Sequence, residues 1–432
     1  MGKSSIVYVI GLSLLVAYGL LNINESSNSS MDTYTEYYGR SMTHNIALAG
    51  ANIGTRAILN NPTYSTNLLD QDFAGGKFNM YVTHTIDSAF VTSAAWMNVS
   101  GQTIRDTVIA VLRHTPFSKF GYFSEKEENG YLKPNDNTPP GGNMWKVTGD
   151  SMFGFSHTNK RWNLGGRPYF HDKVTAFNTP NTMLYGGVYD PVFNSGYQWG
   201  VTINRPIANL TRLETEAING SATPNMSFIE NNDASFNFFP DGRVHVRVPP
   251  ATGAVRNDTL PISSISSTGV IAVKNGDIRV QGTYNGAVTL VALKGSGIFK
   301  GNVWIDGNIV ANTNPNGNEA SPDMLGLVAQ RMSYLTKDLS RTSASVVNIQ
   351  AAIYTHDGVF AAEEYNTIPV SGRINLFGAL AMAASTSTGK ITGGVLTNGF
   401  LKSIRHDPRY LASAPPAFPF SNKMELVSWW EN

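Results

Sequence analysis

The sequence predicts a mainly β protein mounted on a helix. The order is an N-terminal transmembrane and amphipathic α-helix, a small antiparallel sheet, then a β-solenoid (β-helix) with a helix-hairpin insertion. Three observations predict it. An uncharged apolar run at residues 4–24 leads into a stretch with helical spacing. Alternating apolar and polar residues follow Pro62. From Ile262 onward, short apolar runs are separated by Asn-Gly, Lys-Gly and Asp-Gly corners.

The apolar run reads SSIVYVIGLSLLVAYGLLNIN. About 20 such residues cross a bilayer as a helix. Ile6, Val9, Leu12, Val16 and Leu20 are its candidate membrane and assembly positions. Lys3 precedes the run and no Lys or Arg follows until Arg40, which predicts a cytoplasmic N-terminus and an external bulk. Beyond Ser30, the apolar residues Met31, Tyr34, Tyr38, Met42, Ile46, Ala49, Ile53 and Ala57 recur in steps of three and four. That spacing marks one face of a helix, and Tyr34, Tyr38, Met42 and Ile46 are its candidate assembly stripe. Asn60-Asn61-Pro62 predicts the end. Residues 22–30, NINESSNSS, are poor helix formers, so a kink or melted turn is expected there. Three uses compete for this segment: a plain single-pass anchor, a packing helix that binds neighbouring subunits or its own head, and a cleaved signal peptide with Ala17-Tyr18-Gly19 as a weak cleavage site.

Composition narrows the function. Lys and Arg number 32 against 31 Asp and Glu, and charged residues are 15% of the chain. A nucleic-acid binder usually shows a basic patch or stripe, so this balance argues against a nucleic-acid partner. The absence of Cys excludes disulfides, thiol catalysis and thiolate metal sites. The 41 glycines suit a turn-rich β protein.

Six regions are expected. Residues 1–62 form the anchor and long helix. Residues 63–115 form a small sheet over the helix, with strands at 77–86, 89–99 and 103–114 broken at Gly75-Gly76 and Ser100-Gly101. Residues 116–182 begin the solenoid. Residues 183–261 interrupt it with a helix, through Ile207, Leu210, Leu213 and Ala217, and a hairpin turning at Pro240-Asp241-Gly242. Residues 262–399 form the main solenoid, with strands expected at 270–273, 277–281, 287–292, 298–299, 302–305 and 308–311 and a loop at 313–322. Residues 400–432 form a proline-rich strap ending in a capping strand.

The stretches MWKVTGDSMFGFSHTN (144–159), GGRPYFHDKVTA (165–176), GDIRVQGTYNGAVTLVA (276–292), NVWIDGNIV (302–310), SPDMLGLVAQ (321–330) and HDPRYLASAPPAFPFSNKMELVSWWEN (406–432) resemble a bacterial domain family found in PilX-like minor-pilin and pilus-associated surface proteins. The resemblance implies a β-solenoid behind an N-terminal anchor helix and a place at the cell surface. It implies no catalytic residues. One feature departs from standard pilins: Val7 stands five residues after Gly2, where they carry Glu.

Chemistry-bearing residues are sparse. His157 and His171 invite a metal reading, but no further ligand spacing supports it, and ladder hydrogen bonding is the simpler role. Asp277, Asp306, Asp323 and Glu363-Glu364 fit turn and cap chemistry better than a paired-carboxylate site. Trp429 and Trp430 must point to opposite faces of a strand, so one is a candidate surface-binding group. No cofactor, catalytic or metal residue is assigned. The expected function is a membrane-anchored, pilin-like structural protein of the cell envelope that acts by assembly and binding and is not an enzyme. Its partners are the membrane and other pilin-like subunits or copies of itself. The alternatives are a solenoid that binds or degrades surface polysaccharide, and a static envelope scaffold.

Overall fold

The computed structural model describes residues 3–431 apart from 86, 204, 206–208, 222–225, 250–254 and 393–394. The protein is mainly β, with one long N-terminal helix, and folds as two compact units, 1–115 with 422–432, and 116–421.

In the first unit, α1 runs from Lys3 to Asn60 without interruption. The turn expected to melt at 22–30 stays helical. Side-chain hydroxyls there bond back to the preceding turn: Ser30 Oγ donates to the Ser26 carbonyl (2.8 Å) and Thr33 Oγ1 to that of Ser29 (2.8 Å). At 1.5 Å per residue the helix is about 87 Å long. It ends before Pro62, where the sequence placed its stop.

Four strands follow: β1 (Leu68–Phe73), β2 (Gly76–His84), β3 (Ser88–Val99) and β4 (Gln102–Pro116). They pair antiparallel in chain order. Ala74-Gly75 and Ser100-Gly101 close two hairpins with positive φ at both residues (49° and 82°, 50° and 81°). This turn twists with the strands it joins. The last strand of the chain, Phe420–Glu431, lies beside β4 at the sheet edge. The tail was expected to cap a solenoid, and its strand instead completes the helix-bearing sheet. An unpaired β4 edge offers it a full set of backbone partners. Phe78, Met80, Val91, Ala95, Val108, Ala110, Leu112 and Met424 form the inner face, against Ile46, Ala47, Ala51 and Ile58 of α1.

The second unit is a stack of short parallel strands. Along the main ladders, consecutive strands do not pair; each pairs in parallel with a strand one circuit away, and antiparallel hairpins such as Gly389–Thr392 with Val395–His406 are set into the stack. One ladder runs Phe228–Glu230, Val270–Lys274, Ala287–Leu293, Met324–Ala329, then the ends of Val346–Thr355 and Val370–Met382. It continues through Tyr122–Ser124, Ser156–Thr158, Val174–Ala176 and Tyr197–Gln198. The earlier stretch of chain therefore stacks beyond the later one. The chain crosses back between them, and on that return path α2 (Leu210–Gly220) packs Leu213 and Ala217 on Val270, Ala272 and Val291. Asn209 caps α2 by accepting from the Arg212 N–H. Ile207, expected to open this helix, lies outside the described residues.

The hairpin at Ala234–Phe238 and Arg243–Val248 forms with Val244, Val246 and Val248 buried, and a third strand, Arg256–Pro261, extends it. Residues 302–305 and 308–311, expected as two strands, are one strand, Val303–Ala311, with a register irregularity. Residues 298–299 form no strand, and Ile298 is exposed. Corners at Asn275 (φ 56°) and Gly286 (φ 101°) take the left-handed conformation their residue types favour.

Candidate functional site

The first third of α1, to about residue 21, is apolar on every side. Ile6, Val9, Leu12, Val16 and Leu20 are exposed, and so are Val7, Tyr8, Leu14 and Leu15 between them. A helix apolar all round needs an apolar environment on all sides. Among the described residues this is the one helix long and apolar enough to cross a membrane. Its place near the N-terminus fits a single-pass anchor.

The second half has two faces, and the one that packs differs from the expected stripe. The buried face is Gly39, Thr43, Ile46, Ala47, Gly50, Ala51, Gly54 and Ile58. It is built of small residues, so the helix seats closely on the sheet. A Cβ on Gly54 would stand 2.5 Å from Val91 Cγ1 and 2.7 Å from Met80 Sδ, and one on Gly39 2.5 Å from Ile104 Cδ1. On Gly50 it would collide with Ser93 and Phe78. Of the expected stripe, Ile46 is fully buried and Met42 half-buried, whereas Tyr34 is 69% and Tyr38 47% exposed. Tyr37, Ile53 and Leu59 are exposed as well. Hydropathy weights large residues and misses a face made of Gly, Ala and Thr. The signal that could have found it is the recurrence of small residues at 39, 43, 47, 50 and 54.

A second feature missed by the sequence reading ties the helix down. His44 Nδ1 lies 2.7 Å from Asp106 Oδ2 of β4, and its Nε2 lies 3.5 Å from Glu431 Oε2 on the last strand. One ring thus bridges helix, central strand and edge strand. On that last strand Trp429 is half-buried against the helix–sheet core, with its Nε1 donating to Glu431 Oε1 (2.7 Å), and Trp430 is 65% exposed.

The head unit buries its own polar groups. Lys146 Nζ contacts Glu127 Oε2 (2.9 Å), the Tyr122 hydroxyl (3.0 Å) and Ser385 Oγ (2.9 Å). A Ser beside a Lys has the shape of a nucleophile and its base. Here the cluster is sealed, since all four side chains are at most 2% exposed. Burial pushes the Lys146 pKa down most strongly, but Glu127 and Tyr122 together outweigh it and hold the ammonium charged. A charged lysine accepts no proton, so the cluster acts as a staple between distant segments.

His157 is buried, with Nδ1 2.7 Å from Thr175 Oγ1 and Nε2 2.8 Å from Asn159 Oδ1. Burial lowers its pKa. His171 sits on a different ladder, stacked on Phe153, so the two histidines do not converge. The turn aspartates act as staples: Asp277 accepts from the Asn302 and Trp304 N–H groups, and Asp323 from Gly286 (2.6 Å) and Thr313 (2.7 Å). Asp306 pairs with Arg279 (2.6 Å). Among the described residues no cluster of three or more His, Asp or Glu could hold a metal.

The chain matches no family model and no curated protein. Among solved structures it is similar to the competence-associated pilin ComZ from Thermus thermophilus, at 11% identity and a TM-score of 0.35, over 91% of this chain and 97% of that one. A likeness at that level is too weak to fix a fold, and the helix and its sheet stand on their own geometry.

Proposed function

We propose that the chain is a membrane-anchored, externally displayed subunit of pilin-like build, related to the PilX-like minor-pilin group. In this reading it works by assembly and binding and performs no bond chemistry. The observation that carries it is the division of labour along α1. The first third is apolar all round, the second half is seated on a sheet by one small-residue face, and further apolar residues (Tyr34, Tyr38, Ile53) are left for other copies. The parallel ladders support reading the head as a β-solenoid, a stiff body suited to display. The alternative, a static envelope scaffold, shares the anchor and leaves that second face without a protein partner.

Because the native chain has no Cys, a single introduced thiol reports only contacts between molecules. Tyr34→Cys and Ile53→Cys should each give disulfide-linked dimers in sheared surface material, while Asn135→Cys on the head should not. Monomers alone, confined to membranes, would establish the static scaffold. The N-terminal residue of the mature protein, measured by mass spectrometry in both fractions, adds whether a peptidase acts despite Val7.

A further inference from the structure

One side of the head carries two outward columns of side chains. Registers place Gln350 beside Phe377, Phe377 beside Arg405, and Arg405 beside Phe153. The neighbouring column is Asn348, Asn375, Ser403 and Ser151. The residues between them, Ile349, Leu376, Ile404 and Met152, point inward and are buried. Strand spacing sets the columns' repeat at about 4.8 Å.

The columns floor a groove. Its two adjoining hollows, ≈ 1110 and ≈ 750 Å³, share Phe153, Asn316, Phe377 and Arg405. Together they exceed a drug-sized pocket of roughly 300–1,000 Å³, so the space suits an extended ligand. The loop at 312–323 forms one wall and is fixed in place. Asp323 accepts the Thr313 N–H at 2.7 Å, and Arg409, paired with Asp407 at 2.6 Å, donates to the Ser321 and Asp323 carbonyls. Gln350 and Arg405 both reach this wall, at Asn314 Oδ1 (3.0 Å) and Asn316 Oδ1 (3.5 Å).

Charge singles out Arg405. Lys119 and Lys173 on the rim are balanced by Asp172 and Glu319. Arg405 is exposed, and its guanidinium lies 4.8 Å from the Phe153 ring centroid. Among the described residues it has no carboxylate partner. A guanidinium oriented on a ring presents a fork that fits a carboxylate bidentately. Beside it, amides and hydroxyls offer both donors and acceptors, as sugar hydroxyls require. Phe377 and Phe153 supply apolar ground for the C–H faces of a sugar. The rung repeat is comparable to the advance of one sugar along an extended glycan.

We propose that this groove binds an extended acidic polysaccharide, with a uronate carboxylate on Arg405. Duplex or single-stranded nucleic acid fits less well, because it needs a basic stripe to match many phosphates and the groove has one unbalanced cation. The proposal concerns the head alone and holds whether α1 enters a filament or remains a static anchor.

The test is titration of the full chain in detergent with oligogalacturonate, oligoalginate and hyaluronate oligomers, against neutral dextran oligomers and DNA of similar length. At least one uronate series should bind, and better than dextran. Arg405→Gln should weaken it at least tenfold, Arg405→Lys by less, and Asn375→Ala by a smaller factor. Arg373→Gln, which removes an exposed charge outside the groove on the same strand, should leave it unchanged. Unchanged melting temperatures show that the variants fold. No uronate binding by the wild-type chain, equal loss from Arg373→Gln and Arg405→Gln, or tighter binding of DNA than of every uronate would each overturn the proposal.

Discussion

The two units solve the same problem, holding strands and a covering segment together, by opposite means. Apart from the last strand, the first unit is antiparallel and local. Two of its hairpins turn in two residues, and its helix is seated by shape, through glycines that let Phe78, Met80 and Val91 approach. The head is parallel and non-local. Residues hundreds of positions apart pair in register, and its loops are pinned by buried charge: Lys146 to Glu127, Arg409 to Asp407, and Arg331, which donates to Asn302, Asn137 and the Asp136 carbonyl. Local pairing needs little beyond turn chemistry and a close fit. Pairing across a long stretch carries a larger loop-closure cost. Buried polar contacts between those stretches also penalise any register that leaves them unpaired.

The sharpest way to break the contrast is to remove one buried charge. Lys146→Ala leaves the buried Glu127 carboxyl without its ion-pair partner and should cost the head about 3–5 kcal/mol. The double variant Lys146→Met, Glu127→Leu should cost much less. Urea denaturation followed by head-specific hydrogen exchange measures both, and equal losses would mean that the pair is no staple.

Shape is tested next. Gly50→Val drives a side chain into Ser93 and Phe78 and should destabilise the helix–sheet unit by about 1–3 kcal/mol. Gly19→Ala meets nothing within 4 Å and should favour helix by up to about 1 kcal/mol. Thermal melts monitored by circular dichroism separate the two. If both glycines behaved alike, close seating would not be what holds the helix.

A pH dependence should appear in the head. Lys402 is pushed down to about 8 from its ordinary 10.5, first by burial and then by the Lys146 charge. Between those values the unfolded chain binds the extra proton. Stability should therefore rise from about pH 8 to about 10.5 and stay penalised below pH 8. Urea midpoints across that window should climb in the wild type and flatten in Lys402→Met.

The smallest effect concerns the last strand. Trp430→Ala should change stability by less than about 0.5 kcal/mol, because the ring is mostly exposed. Trp429→Ala should cost more, since that ring packs on the helix–sheet core. Melting temperatures of the two variants rank them.

How far each unit could be read from sequence follows the same division. The helix stop at Pro62, the turn at Ser100-Gly101 and the run of short strands from Val270 were legible, because each depends on neighbours within a few residues; the strand Leu68–Phe73 was not expected, and its turn falls at Ala74-Gly75 rather than Gly75-Gly76. The packing face of α1 was misread by about one residue around the helix. Periodicity reports large apolar side chains, while the contact is made by small ones. Of the groove, only the loop at 313–322 was legible. Phe377, Arg405 and Phe153 become neighbours only when the 122–198 stretch stacks beyond 370–406.

By itself the sequence determined where the long helix stops and where many of the turns and short strands fall, and that one segment is apolar enough for a membrane. These follow from local propensity and hydropathy, which act along the chain. The tertiary structure alone decided that the final strand joins the first sheet, which face of α1 is left open, and which side chains line the groove. Those depend on register and order between segments far apart in the chain, and no local pattern encodes them.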